Sequence, residues 1–432
     1  MKRVAFYTLG CKVNRYDTEA MIAQFEEAGY QIVDFEQQAA IYIINTCTVT
    51  KQGASKSRKI TRRAKRRNPD ALVAVVGCYP QVDPEQVLEI AEVDLVVGTK
   101  GRSKILEFVE QAINSKDQLN FVQEMNEGED FEEAPIQNFT ERTRATIKIQ
   151  EGCNQFCSYC IIPYARGSLR SRELEDVMAE VERLAKHGFK EVVLTGIHLG
   201  EYGADKENLD LVKLIKELLP ITGLERIRLS SIEGTEVSQE LIQLIAEADK
   251  LCRHLHLPLQ SGSDKILTAM NRPYQVTDFK EMVARIRAQV PEIAITTDVI
   301  VGFPGESEAD FEETYQLMKK LKFSDAHIFK YSKREGTPAA SFEEQVHSKV
   351  KKKRSKKLRG LTAELALNYQ QQFIDQRLKV LLEESPDYKT GLLTGLTDNY
   401  LRVFVDGTDD LAGQLVEVKL KEKEGRLIGS LE

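Results

Sequence analysis

Ala145-Thr146-Ile147-Lys148-Ile149-Gln150-Glu151-Gly152-Cys153-Asn154-Gln155-Phe156-Cys157-Ser158-Tyr159-Cys160 is the stretch from which the rest of this 432-residue chain can be read. Residues Ala145–Gln150 have the β-rich pattern of a strand. The loop after them carries three cysteines at the spacing C-x3-C-x2-C. Three thiolates on one short loop can each ligate one iron of a cubane. No fourth cysteine or histidine lies in the loop, so one iron would keep a position open for an exogenous ligand. The alternative is a structural zinc site, which is normally closed by a fourth Cys or His.

Downstream, the strand–helix alternation repeats. Strands are expected at Glu191–Leu194, Arg226–Ser230, His254–Pro258, Ala294–Val301 and Ala326–Tyr331. Helices are expected between them at Glu173–Lys186, Leu211–Leu218, Ser238–Ala248, Thr277–Gln289 and Glu308–Leu321. Six βα units predict a curved, mostly parallel sheet, either a partial barrel or a doubly wound sheet.

Upstream, apolar runs at Val4–Thr8, Ile41–Asn45, Leu72–Gly77 and Leu95–Gly98 alternate with helical patterns at Thr18–Ala28, Ser55–Arg67 and Pro84–Ala91. This predicts an α/β fold with a parallel sheet covered on both faces. Cys11, Cys47 and Cys78 each follow one of these strands by one to three residues. In a parallel sheet all strand C-termini share one edge, so these three should converge. They are either a second three-thiolate site or a coincidence of βα loops. Cys252, the seventh cysteine, reads as a small structural residue.

The expected organisation is an N-terminal sheet domain over 1–115, an acidic linker over 116–141 and a second βα domain over 142–350. A helical connector over 351–372 and a small antiparallel β-barrel over 373–432 follow. The linker reading rests on Glu127, Glu129, Asp130, Glu132 and Glu133, which crowd together before Pro135. The barrel reading rests on short alternating runs such as Leu401–Val405 and Leu415–Val418, separated by turns. No apolar run reaches the roughly 18–20 residues of a membrane span. The N-terminus lacks a signal-peptide pattern, so a cytoplasmic location is expected. An odd cysteine count in such a compartment speaks against a disulfide framework.

The net charge of −7 argues against a nucleic-acid partner only on average. Residues 51–67 carry nine basic residues and no acid. On a helix there, Ile60 and Ala64 would be buried, leaving Lys56, Arg58, Lys59, Arg62, Arg63, Arg66 and Arg67 as candidate RNA contacts. The alternative is a solvated helix face. A second run, Lys349–Arg359, has eight basic residues in eleven and leads into the barrel.

The cysteine triplet, with Tyr159 before its third member, resembles the radical S-adenosylmethionine (SAM) superfamily. The resemblance extends through all six βα units. It implies a 4Fe–4S cluster on Cys153, Cys157 and Cys160, with SAM taking the open iron. It also implies a cofactor pocket at the strand ends. Thr195 and Gly196 would lie near the cofactor's amino group, and Ser230, Gln260 and Asp298 would line later strand ends. Tyr159 would pack against an adenine or merely anchor the loop. Gly302 and Gly305, in Val301-Gly302-Phe303-Pro304-Gly305, read equally as turn glycines.

Thr8-Leu9-Gly10-Cys11-Lys12-Val13-Asn14-Arg15-Tyr16-Asp17-Thr18-Glu19, Asn45-Thr46-Cys47 and Val76-Gly77-Cys78 resemble the N-terminal domain of the methylthiotransferases. The tail resembles their RNA-binding TRAM barrel. The resemblance implies a second 4Fe–4S cluster on Cys11, Cys47 and Cys78 that carries the sulfur source. It implies radical conversion of an aromatic C–H bond to C–S–CH3. The required partners are a tRNA anticodon loop, a reducing electron donor and a sulfur source. Gly10–Asn14 and Cys157–Pro163 look most like the branch acting on N(6)-threonylcarbamoyladenosine at tRNA position 37. The other branches act on isopentenyladenosine in tRNA or on an aspartate of a ribosomal protein. A reading from another class is a non-catalytic RNA-binding protein with a structural metal.

Overall fold

The computed structural model describes residues 2–49, 51–115, 117–125, 128, 130–132 and 143–431. The chain forms two compact units. One comprises Met1–Thr140, Gln150–Arg172 and Ser332–Ala340, and the other Glu141–Ile149, Glu173–Tyr331 and Ser341–Glu432. The cysteine-triplet loop therefore belongs with the N-terminal sheet, although in sequence it continues the second βα series.

The first unit is built on six parallel strands: β1 (Arg3–Thr8), β2 (Gln31–Val33), β3 (Ile41–Thr46), β4 (Leu72–Gly77), β5 (Leu95–Val97) and β6 (Leu119–Asn120). Their order is β2-β1-β3-β4-β5-β6. β3 and β4 are buried along their whole length, as expected of strands covered on both faces. Met21 and Phe25 of α1 (Lys12–Glu27) join Phe108 and Val109 on one face. On the other, Ile60 and Ala64 of α2 (Lys51–Arg67) pack with Phe35 and Tyr42.

Several boundaries differ from the sequence expectation. α1 starts six residues before Thr18, directly after Cys11, and α2 starts before Ser55. The α1 start follows Cys11, which is not a Ser, Thr, Asp or Asn cap that would advertise it. β2 and β6 are too short to show a periodicity, and the helix Ile105–Ile113 was not foreseen. Part of the expected linker is therefore sheet, because β6 pairs with β5. Glu132 is pinned rather than free, accepting from the Ser103 backbone N–H and hydroxyl. Glu127, Glu129 and Glu133 lie outside the described residues.

The chain then passes through β7 (Arg144–Lys148), in the second unit, and the short strands β8 (Gln150–Glu151) and β9 (Arg170–Ser171), in the first. The second unit continues with β10 (Glu191–Thr195), β11 (Arg226–Leu229), β12 (His254–His256), β13 (Ala294–Val301) and β14 (Asp325–Lys330). Two parallel trios, β11-β10-β7 and β12-β13-β14, are joined by the bridges Ile227↔Leu251 and Ser231↔His256. The strands thus lie side by side in sequence order. That is a partial barrel; a doubly wound sheet would reverse its order once.

The helix Ser348–Gln371 buries Leu358, Leu361, Leu365 and Tyr369. It leads into a closed barrel of β15 (Arg377–Leu382), β16 (Leu393–Thr397), β17 (Arg402–Val405), β18 (Leu415–Lys423) and β19 (Arg426–Ser430). Phe373, Val380, Leu382, Val403, Val418 and Leu420 fill it. Closure removes the exposed strand edges of a small sheet. The barrel docks on the half-barrel through buried arginines. Arg226 donates to the Leu396 carbonyl at 2.9 Å, and Arg228 to the carbonyls of Thr397 and Asp398 at 2.9 Å each. Arg228 also pairs with buried Glu191 at 2.7 Å. Burial pushes the Glu191 carboxyl up, but Arg228 outweighs it and holds the group below the ordinary range. No helix among the described residues is long and apolar enough to cross a membrane.

Arg228→Met removes three hydrogen-bond donors and leaves the Glu191 charge to the longer pairing with Arg226 at 3.8 Å. It is expected to cost roughly 3–5 kcal/mol, the scale for breaking a buried ion pair. The measurement is the urea midpoint followed by barrel-proximal fluorescence; an unchanged midpoint would refute the clamp.

Candidate functional site

β1 and β3 are neighbours, and the chain order reverses between them. Such a switch point opens a crevice at the carboxyl ends of the strands. Cys11 lies three residues past β1, Cys47 directly after β3, and Cys78 directly after β4 at the start of a short helix, Cys78–Val82, so all three thiols sit at that edge. Two glycines make the approach possible. Gly10 has φ of +108°, and a Cβ on it would fall 2.9 Å from Cys47 Cβ. Gly77 has φ of +96°, and its Cβ would fall 2.4 Å from Asn45 Oδ1. Only glycine accepts both the left-handed backbone and the contact.

A buried polar lattice ties the three loops together. Asn14 donates to the carbonyls of Leu9 (2.7 Å) and Thr46 (2.9 Å). Asn45 donates to the Asn14 carbonyl at 2.8 Å, and the Thr46 hydroxyl to the Val76 carbonyl at 2.7 Å. Cys11 is exposed, Cys47 half-buried and Cys78 buried. Burial, then the neighbouring Cys78, pushes the Cys47 thiol up to about 12. Burial also raises Cys78, against the pull of Arg166. Metal binding at such thiols must release protons, and so strengthens with pH.

The second cysteine set sits on a loop closed at its base by the antiparallel pair β8/β9. Cys153 N–H donates to the Gly167 carbonyl at 3.0 Å and Cys160 N–H to the Cys157 carbonyl at 2.9 Å. Gly152 has φ of +77°, and a Cβ there would lie 1.8 Å from the Ser168 carbonyl oxygen. Tyr159 is half-buried in the same loop. Phe156, at φ of +46°, is exposed and packs edge-on against Tyr164.

Arg166 lies beside the N-terminal set and is wholly buried. Its Nε–H donates to Cys78 Sγ at 3.3 Å. Its other nitrogens bond Asp17 Oδ2 at 2.9 Å, Glu151 and Asn14 Oδ1. Arg102, also buried, bonds Asp17 and, at 3.1 Å, Glu151. Burial alone would lower the Arg166 pKa, but Cys78, Asp17 and Glu151 drive it well above the ordinary value. Two guanidiniums thus balance two carboxylates, and one N–H is left for sulfur. Sequence reasoning missed this quartet. Asp17 and Glu151 stood in the quoted motifs, but nothing in the sequence says that they are buried or paired.

Each cysteine set therefore offers three thiols, and the seventh cysteine, Cys252, is buried in the other unit. Three soft ligands beside a buried cation suit a cubane cluster of net negative charge. In the second unit, Thr195 ends β10, Gly196 follows it and Ser230 follows β11. Gln260 adopts φ of +62° and its backbone pairs with β13 on both sides, accepting from Ile300 and donating to Asp298. Ser230 Oγ and Asp298 Oδ1 are buried without an aligned hydrogen bond. Ser230 stands just past the end of β11, but Asp298 lies inside β13 rather than at a strand end as expected; orphaned polar atoms of this kind are what a polar cofactor would satisfy. Gly302 and Gly305 are packing and turn glycines. A Cβ on Gly302 would strike Lys351 Cγ at 2.4 Å, and Gly305 turns at φ of +80°.

The basic runs are less uniformly free than the sequence suggests. Arg63 and Arg67 both pair with Glu36, and Arg62 lies 3.7 Å from Glu92. Arg58 donates to the Tyr79 hydroxyl at 3.0 Å. The balancing acids come from other segments, so the run itself does not reveal them. Lys56, Lys59, Arg62 and Arg66 remain exposed along one helix face. In the second run Arg354 is buried against Glu306 and Glu308, and Lys357 pairs with Glu312.

Residues 147–318 match the family model described as the Radical SAM superfamily, and residues 3–98 that of Uncharacterized protein family UPF0004. The chain is 46% identical to threonylcarbamoyladenosine tRNA methylthiotransferase MtaB of Bacillus subtilis, over 97% of its own length and 94% of that protein. It is 42% identical to the protein of that name from Aquifex aeolicus, over 96% of this chain and 99% of that one. It is 36% identical to tRNA-2-methylthio-N(6)-dimethylallyladenosine synthase of Clostridium tetani, over 96% and 92% respectively. Among solved structures, the radical S-adenosylmethionine methyltransferase TsrM of Kitasatospora setae, with cobalamin and a 4Fe-4S cluster bound, shares the fold. Its TM-score is 0.59 at 17% identity, covering 79% of this chain and 74% of that one.

Gly152→Ala is expected to destabilise the protein by more than about 1 kcal/mol, since both backbone and space reject a side chain. Thermal melting checks the cost. Faster alkylation of Cys153 and Cys157 by iodoacetamide would report the opened loop.

Proposed function

Because the chain belongs to the radical SAM tRNA methylthiotransferases, we propose that it converts N(6)-threonylcarbamoyladenosine at position 37 of tRNA to its 2-methylthio derivative. The observation that carries the reading is the pairing of two three-cysteine sets in one compact unit, with Arg166 bonded to Cys78. The substrate choice is supported by the identity to the threonylcarbamoyladenosine enzymes of Bacillus subtilis and Aquifex aeolicus, 46% and 42%, against 36–38% to the dimethylallyladenosine synthases, although the Thermotoga maritima threonylcarbamoyladenosine enzyme, at 37%, falls in that same range. A non-catalytic RNA-binding role does not stand beside this family membership.

In this reading Cys153, Cys157 and Cys160 hold one 4Fe–4S cluster and Cys11, Cys47 and Cys78 the other. When bound, the clusters and SAM supply the radical chemistry that replaces an unactivated C–H bond by C–S–CH3. The chain's own residues bind and orient. Arg166 compensates thiolate charge at Cys78, where burial alone would disfavour it. Ser230 and Asp298 offer their unsatisfied oxygens to the cofactor's polar groups, beside Thr195, Gly196 and Gln260. Lys56, Lys59, Arg62 and Arg66 meet tRNA phosphates, and the closed barrel adds the RNA-binding surface. The electron donor and sulfur source act as further partners.

Anaerobically reconstituted protein is expected to hold about eight irons, two cubanes. Cys47→Ala with Cys78→Ala should leave about four and keep 5′-deoxyadenosine formation, while blocking methylthiolation. Zinc in place of iron would refute the assignment. Mass spectrometry of tRNA nucleosides from cells lacking and regaining the protein tests the substrate. Return of 2-methylthio-N(6)-threonylcarbamoyladenosine is the expected result. Return of the isopentenyladenosine product would move the protein to the other tRNA branch.

Charge reversal of Lys56, Lys59 and Arg66 should weaken tRNA binding. It should also lower the salt slope by roughly 0.7–0.9 for each phosphate that is no longer neutralised. Filter binding over a salt series reads this. Equal slopes would return the helix to the status of a solvated face.

A further inference from the structure

The loop between β16 and β17, Asp398-Asn399-Tyr400, seats against the half-barrel strands. Tyr400 has φ of +69°, an unfavourable backbone for an aromatic residue. The conformation presents its ring to two partners. It stacks on His254 with centroids 4.4 Å apart and planes 16° apart, and the Arg228 guanidinium lies 5.0 Å from its centroid. Arg228 in turn holds the carbonyls of Thr397 and Asp398, so the loop is gripped from both sides.

From His254 a line of polar contacts runs along β12 and β13 toward the strand ends. His254 Nε2 lies 3.0 Å from Thr296 Oγ1, and Thr296 Oγ1 lies 2.9 Å from His256 Nδ1. His256 Nε2 lies 3.2 Å from Asp298 Oδ1. His327, on the neighbouring strand, stands beside the last pair, its ring centroid 5.8 Å from that of His256. The order of donors in the line is constrained. A hydroxyl has one proton and a neutral imidazole has one N–H. If His256 turns its Nε2–H toward Asp298, its Nδ1 must accept from Thr296. The Thr296 oxygen must then accept from His254 Nε2–H. The two hydrogen bonds through Thr296 couple the tautomers of His254 and His256, and the last link is a close His256–Asp298 contact, electrostatic rather than an aligned hydrogen bond.

We propose that Tyr400, His254, Thr296 and His256 are positioning residues that transmit the seating of the closed barrel to the carboxylate of Asp298. The small barrel is then part of the cofactor pocket's support as well as an RNA-binding module. The contact at Asp298 leaves Oδ1 without an aligned hydrogen bond, so the carboxylate is oriented yet still open to a ligand. The inference rests on the reading of Asp298 as a residue of the SAM pocket.

SAM affinity of the full-length, cluster-loaded protein without tRNA, measured by equilibrium dialysis, tests it. Thr296→Val and Tyr400→Ala should each weaken binding by roughly tenfold, the low end for an outer hydrogen-bond partner. Thr296→Ser should restore it, because it returns the hydroxyl, and Tyr400→Phe should match the parent, because stacking needs only the ring. Long-range 1H–15N spectra of the full-length protein, which has six histidines, should show His256 as the Nε2–H tautomer. Thr296→Val should remove that preference. Asp298→Ala separates the two readings. If it binds SAM as the parent does, the pocket assignment of Asp298 falls, and the relay's role with it. If it loses affinity while Thr296→Val and Tyr400→Ala keep theirs, the relay alone is overturned.

Discussion

The first unit depends on a buried charge quartet. Arg166 and Glu151 of the triplet loop, Arg102 and Asp17 come from three distant stretches, yet all are nearly inaccessible to water. Burying such groups singly would cost several kcal/mol each. Together they cancel, and the remaining Arg166 N–H is aimed at Cys78. The quartet thus holds α1, the Arg102 turn and the triplet loop in one arrangement. It also places positive charge beside the Cys78 sulfur.

Around that centre the constraints are steric. Gly10 and Gly77 leave the space that Cys47 and Asn45 occupy, and Gly152 leaves space for the Ser168 carbonyl. Asn14, Asn45 and Thr46 replace the hydrogen bonds that loop backbone loses on burial. The cysteines arrive on loops, but those loops are cross-linked to strand ends. A site that must hold ligands within fractions of an ångström needs such support.

In the second unit the same chemistry is used for docking. Arg226 and Arg228 satisfy barrel carbonyls, and Arg354 ties the long helix to Glu306 and Glu308. Basic residues therefore divide between two tasks. Some are structural counter-ions, and some, such as Lys56, Lys59 and Arg66, stay exposed along one helix face. Burial pushes the Glu306 carboxyl up to about 7 even though Arg354 pulls it down, which marks how dry that junction is.

The sequence alone was enough for the βα alternation in both blocks, the barrel tail and the two cysteine sets. These are local signals: apolar periodicity, turn residues and short spacings. The parallel sheet made the convergence of Cys11, Cys47 and Cys78 legible, because one sheet edge collects every strand end. Tertiary structure decided the rest. It chose the partial barrel by setting strand order, joined the triplet loop to the N-terminal unit and turned part of the linker into β6. It also divided the basic helix, since Glu36 and Glu92 reach Arg62, Arg63 and Arg67 from other segments. Arg166 and Asp17 are 149 residues apart in the chain and 2.9 Å apart in the fold. A pairing of that kind has no local period or spacing, so only the folded chain displays it.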